Sequence, residues 1–120
     1  MKNYLCFAWF SLFITPVVLV QDARSGKDLF LDCASCHSTH SGEQMSGPSL
    51  AGIFGRKAGS VESFRYSNAV KKSGVTWDAN SLNQYIADPQ SFIPGGRMPY
   101  SGMPSEADRK KLIEYLQTLN

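Results

Sequence analysis

Nine residues, Asp32 to His40 (DCASCHSTH), hold two of the chain's three cysteines and both of its histidines. No other stretch restricts the fold as much, because four side chains able to ligate a metal or carry redox chemistry share one short segment. Three readings meet on it: a zinc site, a dithiol redox centre, and a point of haem attachment. Each requires different surroundings from the rest of the chain.

At 120 residues the chain is one domain at most. Its ten Gly and six Pro require plentiful loops, and a domain of about 100 residues has little apolar material to spare. Small loop-rich domains are usually stapled by disulfides, a metal or a large cofactor. Cys6 lies in the N-terminal apolar run, so the three cysteines cannot supply a disulfide framework. A cofactor is the expected organiser. The formal charge of +2 does not argue for nucleic acid, and no basic stripe with interleaved aromatics is present.

Residues 1–23 read as a separate unit. Lys2 is the only charge before Asp22, and Tyr4 to Val20 is an apolar run broken at Pro16. A positive start, an apolar stretch and a polar switch at QDARS form a secretory signal pattern. A helix of that length would span about 25 Å, slightly short of a bilayer core. Neither VLV nor QDA places small residues at both positions needed for cleavage, so an uncleaved membrane anchor is the second reading. A buried core helix is disfavoured, since no later segment could cover it on all sides. Either outcome places residues 24–120 outside the cytoplasm, in the periplasm, held at the outer face of the inner membrane if the leader stays.

The remainder predicts short helices and long loops. Ser25 is the expected cap of a helix through Leu29 and Phe30 to the cysteines. GEQMSGPSLAGIFGRKAGS has no sustained period and predicts loop. Ser67 to Ser73 predicts a short helix ended by Gly74, and Asp78 or Ser81 caps another that stops before Pro89. DPQSFIPGGRMPYSGMP, with four prolines and three glycines, predicts no regular structure. From Ser105 a Ser-x-x-Asp capping box opens a helix with Leu112, Ile113, Tyr115, Leu116 and Leu119 on its face. No useful period-2 run appears, so the fold class is all-α.

Cys33-Ala34-Ser35-Cys36-His37 carries the Cys-x-x-Cys-His spacing of covalent haem c attachment. Two thiols three positions apart project from one turn and can add to the two porphyrin vinyl groups, and the following His can ligate the iron. Zinc would need two further ligands, of which His40 supplies at most one. A thioredoxin-like dithiol needs a strand-then-helix setting that the pattern lacks. Haem is therefore favoured, with dithiol and zinc as weaker alternatives. A second axial ligand is often Met. Met45 lies too near His37 in sequence, and Met103 abuts the last helix. Met98, in the irregular PGGRMPY, is the expected ligand.

The ordered motifs GKDLF…CASCH, GPSLAGIFGRKAG, FRYSNAVKKSGVTW, SLNQYIADPQSFIPGGRM and the final helix resemble the class I monohaem c-type cytochromes, from about Gly26 to Leu119. The resemblance implies the cytochrome c fold, short helices and long loops wrapped around one covalently bound haem c. It implies iron ligation by His37 and Met98, and a Pro48 carbonyl that orients His37. It also implies that Arg56, Tyr66 and Trp77 hold a buried haem propionate, and that Tyr85 reaches the Met98 sulfur. Read alone, Arg56 is a surface residue, and Tyr66 and Trp77 are core aromatics. Gly26 and Phe30 would cross Leu112 and Tyr115, while Leu50, Leu82, Ile86 and Ile93 would line the pocket. His40 has no counterpart role.

Departures from the family are visible as well. Val70 and Gly96 replace an Asn and a Thr of the polar network in mitochondrial members, implying a simpler network and a looser Met98 loop. Asp32, Gln90, Pro104 and Ser105 replace basic docking residues, while Arg97 remains. Loss of most of that ring implies partner encounter that is weakly salt-dependent. The implied function is one-electron transfer, without enzymatic turnover, between respiratory or photosynthetic complexes. Redox protein partners are implied: a cytochrome bc-type donor and a terminal oxidase or reaction centre as acceptor. The alternative is a dedicated electron-transfer subunit of a periplasmic dehydrogenase or oxidase. Membrane contact is expected only if the leader is uncleaved.

Overall fold

The computed structural model describes residues 23–120. Apart from Ala23, the segment expected to be a leader lies outside the described residues. Five helices follow in order: α1 (Gly26–Ala34), α2 (Asn68–Lys72), α3 (Ala79–Ala87), α4 (Pro89–Phe92) and α5 (Glu106–Leu116). Among the described residues there is no strand, only one antiparallel bridge between Lys57 and Thr76.

Local sequence explains most of the helix starts. Ser25 accepts from the Asp28 N–H, and the Asp28 carboxylate accepts from the Ser25 N–H at 3.0 Å, so two orphan donors are satisfied together. At α3 the two expected caps are not alternatives: Asp78 is the N-cap, and Ser81 closes the box from inside the helix. α2 runs between Ser67 and Ser73, as the pattern predicts. At α5 Ser105 accepts from the Asp108 N–H, but the expected box is only half formed. The Asp108 carboxylate turns instead to Arg24, 3.2 Å away.

α4 corrects the expectation of an irregular segment after Ala87. Pro89 at the first helical position has no N–H to lose and a backbone already set for the helix. Asp88 caps it, accepting from the Ser91 N–H at 3.1 Å and the Ser91 hydroxyl at 2.6 Å. The turn ends at Ile93, before Pro94.

The core lies where α1 crosses α5 and α3 packs on α5. Leu29 and Leu112 are almost fully buried at this junction, and the Phe30 and Tyr115 rings meet with centroids 5.3 Å apart. Gly26 permits the crossing, because a Cβ there would overlap the Lys111 carbonyl and lie 2.8 Å from the Tyr115 Cβ. Each large apolar side chain buried here contributes about 2 kcal/mol. Leu82, Ile86, Ile93, Met103, Ile113 and Leu116 extend the core toward the site.

Candidate cofactor site

α1 ends one residue after Cys33, but the chain goes on turning. The N–H groups of Cys36 and His37 both donate to the Cys33 carbonyl, at 3.0 and 2.9 Å. One turn therefore presents thiol, thiol and imidazole in succession. His37 Nδ1 lies 2.7 Å from the Pro48 carbonyl. A carbonyl only accepts, so Nδ1 carries the proton and Nε2 keeps its lone pair. Nε2 has no hydrogen-bond partner among the described residues. Burial lowers the His37 pKa; the Pro48 contact opposes this shift, and the charge of Arg56 adds to it. The ring is held neutral, the form that binds metal.

Gly47 makes room for that ring. Its N–H donates to the Cys36 carbonyl at 2.8 Å, and a Cβ would lie 2.5 Å from His37 Cε1. Beneath it, the buried Ser38 hydroxyl donates to the Glu43 carboxylate and accepts from the His40 N–H at 3.0 Å. The Ser49 hydroxyl donates to the His40 carbonyl at 2.7 Å. His40 is thus fixed by its backbone, while its exposed ring sits 3.4 Å from Glu43.

This geometry weakens the zinc reading, and the dithiol reading at Cys33. Among the described residues no three His, Cys, Asp or Glu side chains converge as metal ligands, so Cys33, Cys36, His37 and His40 do not form a zinc site. The two thiols stand at the C-terminal end of α1, where the helix dipole disfavours a thiolate. Burial, with Asp32 and Cys36 nearby, pushes the Cys33 thiol up to about 11. Hydrogen bonds from Ser46 and Ser35 lower the pKa of Cys36.

Met98 is half-buried in the loop between α4 and α5. Tyr100 N–H donates to the Met98 carbonyl at 2.9 Å, closing a tight turn over Pro99. Arg97 reaches the Arg65 carbonyl at 3.0 Å. At the far end Arg109 donates to Asn83 Oδ1 at 2.8 Å and to the carbonyls of Met103 and Pro104 at 2.7 and 2.8 Å. Met103 N–H donates to the Ile86 carbonyl at 2.9 Å, and Gly102, at φ +107°, presses against Ala87 where any Cβ would overlap. These cross-links tie the loop from both flanks. Met103 is 6 % exposed and belongs to the core.

The third group is assembled by backbone pairing. Gly55 N–H donates to the Trp77 carbonyl at 2.7 Å and Trp77 N–H to the Arg56 carbonyl at 2.9 Å, which sets Arg56 beside Trp77. Arg56 is partly buried, not a surface residue, and donates to the carbonyls of Ala51 and Ser49 at 3.1 and 2.9 Å. Burial raises the Tyr66 pKa, and the neighbouring Arg56 charge opposes that rise. Trp77 is 7 % exposed, its indole N–H has no hydrogen-bond partner among the described residues, and the Tyr66 hydroxyl accepts from the Val61 N–H. The Tyr85 ring lies between Trp77 and Phe92, at 4.9 and 6.3 Å. Its hydroxyl makes no hydrogen bond to the Met98 sulfur. Val70 packs on the core, and Ser67 and Ser73 take up its backbone polar groups.

The residues present fit a haem: two thiols and an imidazole lone pair on one turn, an indole N–H beside a cation, and an apolar cluster that includes Leu50, Leu82, Ile86 and Ile93. Sequence reasoning missed Gly47 and Arg109. The first left a trace, since a Gly immediately before a positioned Pro marks close approach; the second left none, since its acceptors are distant in sequence.

Comparison with known proteins agrees with this chemistry. The family model described as cytochrome c matches residues 23–120. Cytochrome c2 iso-2 of Magnetospirillum molischianum is 47% identical over 98 residues, covering 82% of this chain and 98% of that protein. Cytochrome c2 of Rhodoblastus acidophilus is 46% identical over 96 residues, covering 79% of this chain and 90% of its own. The solved structure of cytochrome cH from Methylobacterium extorquens superposes with a TM-score of 0.74 at 37% identity, covering 78% of this chain and 94% of that one. The match supports a general carrier and not the dedicated dehydrogenase or oxidase subunit. With the motif, the helical fold and these relatives in agreement, the chain belongs to the cytochrome c family, small proteins that carry one covalent haem c and transfer single electrons without acting as enzymes.

Proposed function

We propose that residues 24–120 form an exported carrier in which Cys33 and Cys36 anchor the haem and His37 and Met98 ligate its iron. The observation that carries this reading is the His37 ring. Its Nδ1 is committed to Pro48 at 2.7 Å, which leaves Nε2 as a free lone pair one turn from both thiols. When bound, haem c supplies a ferric–ferrous couple. Around it, His37 stays neutral and oriented, and the cross-linked loop keeps the Met98 thioether in place. Retaining both ligands limits reorganisation, and a soft thioether in an apolar wall favours the ferrous state. Arg56, Tyr66 and Trp77 offer a cation and two ring donors to a propionate, whose burial without partners would be costly.

The apolar run from Tyr4 to Val20 supports a periplasmic setting, with the domain tethered at the inner membrane if that run is retained. A bc-type donor and a terminal oxidase or reaction centre as acceptor are the partners such a carrier would serve. Electrons would leave near Cys33 and Arg97. With Asp32 and Gln90 at positions that are basic in relatives, docking depends weakly on salt. The test is the absorption spectrum of the ferric holoprotein. A Met sulfur on ferric iron gives a weak far-red band, which Met98→Ala should abolish. A high-spin spectrum that Met98→Ala leaves unchanged refutes the assignment.

A further inference from the structure

Gln90 occupies the second position of α4, a helix fixed by Pro89 and by the Asp88–Ser91 cap. From there its side chain spans the base of the following loop. Nε2 donates to the Gly96 carbonyl at 3.1 Å and to the Met98 carbonyl at 3.4 Å. Both neighbours are acceptors, so only the amino end of the amide can face them. Gly96 N–H in turn donates to the Ile93 carbonyl at 3.0 Å. The chain from α4 to Met98 is thereby closed into a ring by one side chain.

Read from sequence, Gln90 is merely a docking charge that this chain lacks. We infer that Gln90 is a positioning residue: its two hydrogen bonds clasp the Met98 loop and hold the thioether against leaving. This rests on Met98 being the axial ligand. The other ties of the loop lie at Arg97 with Arg65, at Tyr100 with the Met98 carbonyl, at Met103 with Ile86 and at Arg109 with Met103 and Pro104. Among the described residues, only the Gln90 side chain grips the Met98 backbone from the α4 side. A carboxylate of the same shape would place an acceptor against two carbonyls, so Gln90→Glu should harm the loop more than Gln90→Ala does. A surface residue or a docking residue would show no such order.

The experiment uses the ferric holoprotein and added imidazole, which binds iron only when the thioether has left. Apparent imidazole affinity therefore reports how readily the loop opens. Loss of one net hydrogen bond should raise that affinity about fivefold in Gln90→Ala, and more in Gln90→Glu. Gln90→Lys, which keeps a donor on a long side chain, should return it toward the unaltered value. Exchange of the Gly96 amide should quicken in the same order, and the denaturation midpoint should move much less than for a core substitution. Equal imidazole affinity in the unaltered protein, Gln90→Ala and Gln90→Glu, with the far-red band present, overturns the role of Gln90 and leaves Met98 standing. Absence of the band from the unaltered protein overturns the Met98 assignment and this inference with it.

Discussion

His37 Nδ1 and the Pro48 carbonyl stand 2.7 Å apart, and that single contact decides the chemistry of the imidazole. It fixes the tautomer, leaves Nε2 free, and ties the ring to a loop eleven residues away. Gly47 is what allows the ring to lie there. Gly47→Ala should therefore displace His37 and cost about 1–3 kcal/mol of stability through overpacking. Denaturant unfolding of the holoprotein measures this, and an unchanged midpoint would show that the ring does not need the space.

The same logic governs the crossing of α1 and α5. Ala is normally preferred to Gly inside a helix by about 1 kcal/mol. At Gly26 the sign should reverse, because the added Cβ would overlap the Lys111 carbonyl. Gly26→Ala should lower stability by about 2 kcal/mol as the helices are forced apart. A gain in stability on denaturant unfolding would contradict the close approach.

The two methionines of the loop separate cleanly by burial. Met103→Ala empties a core site and should cost about 2–5 kcal/mol while the far-red band of the ferric protein persists. Met98→Ala should do the reverse, removing the band at a smaller cost in stability. Spectra and unfolding curves of the two variants, measured side by side, distinguish ligand from filler.

Arg109 spans Asn83 on α3 and two carbonyls at the end of the Met98 loop. A single ammonium cannot reproduce that fork, so Arg109→Lys should resemble Arg109→Ala, each losing about 2 kcal/mol. Full recovery by Lys, measured by thermal or denaturant unfolding, would reduce the role of Arg109 to charge alone.

Asp78 and Asp88 cap α3 and α4, and hydrogen bonds from Ser81 and Ser91 hold both carboxyls below the usual carboxylate range. A depressed folded pKa contributes stability above the unfolded value of about 4 and loses it as pH falls through the folded value. Acid should thus loosen the two helices that lead into the Met98 loop. Asp78→Asn and Asp88→Asn keep an acceptor but cannot titrate, so each should flatten the acid limb of the stability profile. A profile identical to that of the unaltered protein would show that the caps do not contribute.

Much of this protein is legible along the chain. The Cys33–Cys36–His37 spacing specifies the cofactor because one helical turn brings all three groups to one side, and that depends only on local geometry. Capping at Ser25, Ser67, Asp78 and Ser105 is local too, and places four of the five helices. α4 was hidden, since four prolines and three glycines read as loop although Pro89 and Asp88 together start a turn. What lies beyond local geometry came only with tertiary structure. Arg56 meets Trp77 through backbone pairing, Arg109 meets Met103 across the end of a loop, and Gln90 meets the Met98 carbonyl across a ring of backbone. The sequence by itself determined which group this chain binds and the turn that binds it. Only the fold decided how the Met98 loop is held, because carbonyl acceptors carry no side-chain identity and leave no mark in a sequence.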